Sequence, residues 1–145
     1  MGERRPQSFE NHTRLDPAFH YTLLPASAIL FLVSVWNAIR QPNGISLWLT
    51  ALALLFVFAV FLIRIYSLKV QDRVIRLEER LRLTALLPES QRATIGEFTE
   101  SQLIALRFAS DAELPALAAR TLKEKLTPAD IKKSVRTWRP DYYRV

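Results

Sequence analysis

Two stretches of this 145-residue chain carry no Asp, Glu, Lys or Arg, and they decide most of what it can fold into. The first runs from Ala18 to Ile39, the second from Ile45 to Ile63. A helix rises about 1.5 Å per residue, so ~20 apolar residues match the ~30 Å hydrocarbon core of a bilayer. In lipid every backbone polar group needs an internal partner, and a helix supplies one locally. Both stretches are therefore expected to be transmembrane helices. The connector at residues 40–44 reads RQPNG. Five residues permit only an antiparallel hairpin, and Pro42, Asn43 and Gly44 supply turn chemistry, Asn and Gly by tolerating positive φ.

The first stretch does not read as a cleaved signal. Glu3, Glu10 and Asp16 precede it, and the small-residue run at 26–28 lies inside it, not after it. Pro6 stands where an N-myristoylation motif wants Ser or Thr. Orientation follows from Lys and Arg near the helix ends. The connector has Arg40 alone. The flanks on the other side hold Arg4, Arg5 and Arg14, then Arg64, Lys69, Arg73, Arg76, Arg80 and Arg82. Nine against one places both termini on the cytoplasmic side. Tyr21, Trp36, Trp48 and Tyr66 suit the membrane–water interfaces, and Pro25 either opens the first helix or kinks it.

No Gly or Pro occurs between Ile45 and Pro88, so the second helix is expected to leave the membrane and continue to about Leu87. In that stretch Ile63, Ser67, Val70, Val74, Leu77 and Leu81 recur at steps of four and three, an a/d seam. The seam has two readings: it pairs with the same helix of a second copy, or this chain's later helices cover it. Glu78 and Arg82 stand at i,i+4. Short helices are expected next. One starts at residues 88–91 and ends at Gly96. Another is capped by Thr99, with Gln102 completing a capping box, and runs to about Ala109. A third is capped by Ser110 or Asp111 and runs to about Leu126. The last opens at Thr127, Pro128 and Asp130 and runs to about Thr137. Trp138, Tyr142, Tyr143 and Val145 form an aromatic tail expected to pack back.

The fold expected is thus an all-α membrane protein. It comprises a cytoplasmic segment 1–17, transmembrane helices 18–39 and 45–63, an external turn 40–44, a juxtamembrane helix 64–87 and a small helical cytoplasmic domain 88–145.

Chemistry is sparse. The chain lacks cysteine, which removes disulfides, thiolate metal sites and cysteine nucleophiles, and its two histidines both lie in the first 20 residues. No nucleophile elbow, phosphate loop or zincin motif occurs, and acidic neighbours such as Glu78 and Glu79 read as a solvated face. No catalytic, cofactor-binding or metal residues are expected, and the chain reads as non-enzymatic. A coupled transporter needs an ionisable group in the membrane, and none lies between Arg40 and Arg64. A subunit of a small oligomeric transporter or channel is the alternative to a binding or scaffold role.

From Arg64 onward sixteen Lys and Arg face eleven Asp and Glu. Arg64, Lys69 and Arg73 are close enough to the membrane edge to contact anionic lipid headgroups, given screening over ~8–10 Å. Residues 99–126 resemble a helix-turn-helix, but Asp111 and Glu113 would face phosphate, so nucleic acid is disfavoured as a partner. A cytoplasmic protein partner fits better. A hairpin brings the N-terminal strip and the start of the juxtamembrane helix to one membrane face, so His12 or Arg14 is a candidate to meet Asp72.

Four segments carry a family resemblance: QSFENHTR at 7–14, KVQDRVIRLEERLRL at 69–83, QLIALRFASDAELP at 102–115 and KKSVRTWRPDYYRV at 132–145. Together they resemble bacterial inner-membrane proteins with two transmembrane helices and no assigned function. The resemblance implies a bacterial source and the two-helix topology, and it brings no site residues with it.

Overall fold

The structure is a computed structural model and describes residues 8–10 and 15–141. His12, Arg14 and the tail residues Tyr142, Tyr143 and Val145 lie outside the described residues. Among the described residues the chain is helical, with no strand and one isolated bridge, Ala109 to Trp138. The described residues divide into two compact units, residues 15–69 and residues 70–141 with 8–10.

In the first unit a π-helical run, Ala18–Leu23, leads into helix α1, Leu24–Arg40. Pro25 lacks an N–H and its ring crowds the carbonyl four residues back. The wider turn ahead of it, with Leu24 N–H donating to the Phe19 carbonyl, accommodates both defects. Helix α2 spans Gly44–Leu86 as one 43-residue element, the stretch that lacks an internal breaker. The turn between them departs from expectation. Neither Asn43 nor Gly44 has a positive φ. Instead Asn43 caps α2: its Oδ1 accepts from Ser46 N–H at 2.9 Å, and Ser46 Oγ accepts from Asn43 N–H at 3.1 Å. The Thr50 hydroxyl reaches the Ser34 carbonyl of α1 at 3.1 Å. Ser27, Ser46 and Val60 are this unit's buried residues.

The second unit holds the hydrophobic core. Leu83 and Leu87 from the end of the long helical stretch join Phe98, Leu103, Leu106, Phe108, Leu114 and Ile131. Four short helices follow: α3 (Glu89–Arg92), which buries nothing, then α4 (Glu100–Leu106), α5 (Leu114–Glu124) and α6 (Pro128–Ser134), of which α4 adds Ala105 and α5 adds Leu117 and Ala118 to that core. A 3₁₀ turn, Ala93–Glu97, follows α3 and runs through Gly96, which therefore does not end that piece. The Thr99 capping box forms, with Gln102 N–H donating to Thr99 Oγ1 at 3.2 Å and Thr99 N–H donating to Gln102 Oε1 at 3.0 Å. Thr127 caps α6 by accepting from Asp130 N–H.

Three helix limits differ from expectation. Helix α4 stops at Leu106, not Ala109, because residues 108–110 pair with 137–139: Arg139 N–H donates to the Phe108 carbonyl and Ser110 N–H to the Thr137 carbonyl. The same pairing ends α6 at Ser134. Helix α5 starts at Leu114, and neither Ser110 nor Asp111 caps it; the Ser110 carbonyl accepts from Glu113 and Leu114 N–H, and the Glu113 carboxylate accepts from Arg136 and Thr137 N–H. Trp138 lies on Phe108, ring centroids 4.8 Å apart.

The seam is not covered as the intramolecular reading requires. Ile75, Glu79, Leu83 and Leu87 form the buried face of α2 and the residue after it, while Val70, Val74, Leu77 and Leu81 are 49–63% exposed. At ~100° per residue the two faces lie on opposite sides of the helix.

Candidate functional site

The residues singled out for headgroup contact are all on α2. The Arg64 guanidinium lies 5.2 Å from the Phe19 ring centroid, and Lys69 Nζ lies 5.9 Å from that of Tyr66. Arg73 is exposed. A cation over an aromatic face is attracted by the ring while its charge stays open to solvent. At the other end of the hairpin the Arg40 guanidinium stands 4.7 Å from the Trp36 ring centroid. Asp72 accepts through its backbone carbonyl from Arg76 Nε at 3.2 Å, and Arg76 forms an ion pair with Glu100 of α4.

The strongest cluster of charge was not legible in the sequence. Of the two adjacent acids, Glu78 is exposed, but Glu79 is 2% exposed and faces the core of the second unit. Its Oε2 accepts from Arg82 Nη1 at 3.1 Å and its Oε1 from Arg139 Nη1 at 3.3 Å. Arg82 does not pair with Glu78 as the i,i+4 spacing suggests. It reaches across instead to Asp111 Oδ1 at 2.7 Å and the Ala109 carbonyl at 2.6 Å. Burial pushes the Glu79 carboxyl above its usual value, against the pull of Arg82 and Arg139. The cluster fastens α2 to the loop after α4 and to the segment after α6. Its donors are engaged by protein groups, so it reads as a clamp.

An open cavity of about 400 Å³ lies in the same unit, with Leu87, Phe98, Ala118 and Leu122 on its walls and Glu97 and Lys123 among its lining. Among the described residues no group of three or more metal-ligating side chains comes together. Thr127 holds the Asp130 carboxyl below its usual range by donating to it at 2.6 Å, which stabilises the start of α6.

Two surfaces therefore remain as candidates for contact: the apolar side chains of α1 and the first half of α2, and the exposed seam. No curated protein and no solved structure matches the chain. The pattern of one family of unknown function, DUF6526, matches residues 3–145, and the chain belongs to that family.

Proposed function

We propose that this chain is a non-enzymatic binding or scaffold protein of a bacterial inner membrane. Helix α1 and residues 45–63 of α2 cross the bilayer, both termini are cytoplasmic, and the second unit is a basic helical platform on that side. The observation that carries this reading is exposed apolar area. Between Ile29 and Ile63 eighteen large apolar side chains are 42–74% exposed. At roughly 80 Å² each, about half an aromatic side chain's burial capacity, they present on the order of 1,400 Å². Soluble monomers rarely show an apolar patch beyond ~300–600 Å². A core helix of a water-soluble fold would be mostly buried, whereas the apolar windows here are 6% and 11% buried. Lipid is the solvent that suits such a surface.

The hydroxyls inside the hairpin favour an anchor over a conduit. Ser27 donates to the Leu24 carbonyl, Ser34 to that of Phe31 and Thr50 to those of Ser46 and Ser34. Their protons are spent on backbone, which suits close packing in lipid better than coordination of a solute. Arg64 and Lys69 would then lie at the headgroups, with Arg73 one turn farther from them.

Alkaline extraction of membranes tests the anchor: the chain should stay in the pellet, and recovery in plain buffer as a monodisperse species would refute it. Alkaline phosphatase fused to the C-terminus should be inactive, and activity there would refute the orientation. A cytoplasmic protein captured by the full chain should be lost when residues 99–145 are deleted. Conductance in liposomes that survives the same deletion would replace the scaffold reading with the channel one.

A further inference from the structure

We infer that a second copy of this chain covers the seam Val70, Val74, Leu77 and Leu81, in a parallel two-stranded coiled coil. The chain's own core takes the opposite face of α2, through Ile75, Glu79 and Leu83, so the seam and the core do not compete. Val74 at an a position followed by Leu77 at d is the pairing that favours two strands.

Charge on the flanks selects both the partner and its direction. Arg73 precedes Val74 and so occupies a g position; Glu78 follows Leu77 and occupies e. Both are exposed. In a parallel pair a g residue meets the e residue five positions later in the other strand. Arg73 of each copy therefore meets Glu78 of the other, and the two-fold axis gives the pair twice. An antiparallel pair sets g against g, which would bring Arg73 and Arg80 of one copy against the same arginines of the other. A two-fold axis along the helices is also the symmetry available to two copies inserted the same way in one bilayer. Confinement to the membrane raises their effective concentration, which offsets the shortness of the seam. The alignment follows from the charges and the exposed seam; the membrane reading contributes only the shared orientation and the concentration.

Cysteine crosslinking of the full chain in isolated membranes tests this, because the natural sequence has no cysteine to interfere. Val70→Cys and Leu81→Cys should each give a disulfide-linked species of twice the chain's mass under mild oxidation. Only a parallel arrangement brings both ends of the seam against themselves at the ~4.4–6.8 Å Cα separation a disulfide needs. Ala116→Cys, on an exposed position of α5, should give little. In a Leu77→Cys background, Arg73→Glu and Glu78→Arg should each lower the yield several-fold, and the two together should restore it. No dimer at either end, dimer at one end only, or an adduct of another mass would overturn the inference. So would yields indifferent to both charge reversals. The fraction in which the chain is recovered is read from the same preparation, so failure of the membrane reading shows separately from failure of the pairing.

Discussion

Replacing Glu79 separates charge from shape in the clamp of the second unit. Glu79→Ala removes two charge-assisted hydrogen bonds. The one to Arg82, whose side chain is 10% exposed, is worth about 1.5–3 kcal/mol. The one to Arg139, which is half exposed, is worth less than about 1 kcal/mol after solvent screening. Arg82 is not orphaned by the change, because Asp111 and the Ala109 carbonyl still hold it. The loss is offset in part because a carboxylate need no longer be kept out of water. A net cost of about 2–3 kcal/mol follows, below the ~3–5 kcal/mol of a pair whose remaining charge is left alone. Glu79→Gln keeps the shape and one acceptor without the charge, and should cost about 1 kcal/mol or less. The raised carboxyl pKa adds a sign. Between the unfolded value of 4.5 and the higher folded value, the folded chain holds more protons than the unfolded chain. Stability contributed by Glu79 therefore grows as pH falls through the folded value and levels off below about 4.5. The natural chain should gain on the Gln variant between pH 7 and pH 4.5. Hydrogen exchange of the full chain in micelles, read at residues 103–109 and 135–139, reports these differences. The reasoning is refuted if the Ala variant exchanges within about 0.5 kcal/mol of the natural chain, if Gln is as damaging as Ala, or if the pH trend runs the other way.

Two further substitutions probe other elements. Lys125 ends α5 with φ 52°, a left-handed conformation that costs a side-chain-bearing residue energy, so Lys125→Gly should stabilise the second unit by up to about 1 kcal/mol in the same exchange measurement. Thr50→Val should lower the stability of the hairpin in micelles by about 0.6 kcal/mol, the typical worth of one interhelical hydrogen bond in a membrane protein, measured by denaturation against the natural chain.

What could be read ahead of the structure was local or compositional. The capping signals at Thr99 with Gln102 and at Thr127 with Asp130 were legible because each is complete within four residues. The continuity of α2 was legible because a helix needs no more than the absence of a breaker. The Asn43 cap was missed although Asn43 and Ser46 have the right spacing, because the turn residues pointed first to positive φ. The end of α5 carried no glycine to announce it. The ends of α4 and α6 depend on one another through the Phe108–Arg139 and Ser110–Thr137 hydrogen bonds, and a pairing across some 30 residues leaves no mark in either segment alone. The clamp was hidden for a related reason. Glu78 and Glu79 are the same residue type, adjacent in sequence, and only the direction from which the core approaches makes one a surface charge and the other a buried anchor.

By itself the sequence determined that two segments are uncharged and long enough to cross a bilayer, and that one uninterrupted helix follows from the second. Those are properties of side-chain solvation and backbone hydrogen bonding within a segment. Tertiary structure alone decided which face of α2 the core occupies. Ile75, Leu83 and Leu87 on one side and Val70, Val74, Leu77 and Leu81 on the other are both apolar, so hydrophobicity could not rank them. Packing could, because α4, α5 and α6 can close over one side of a helix at a time.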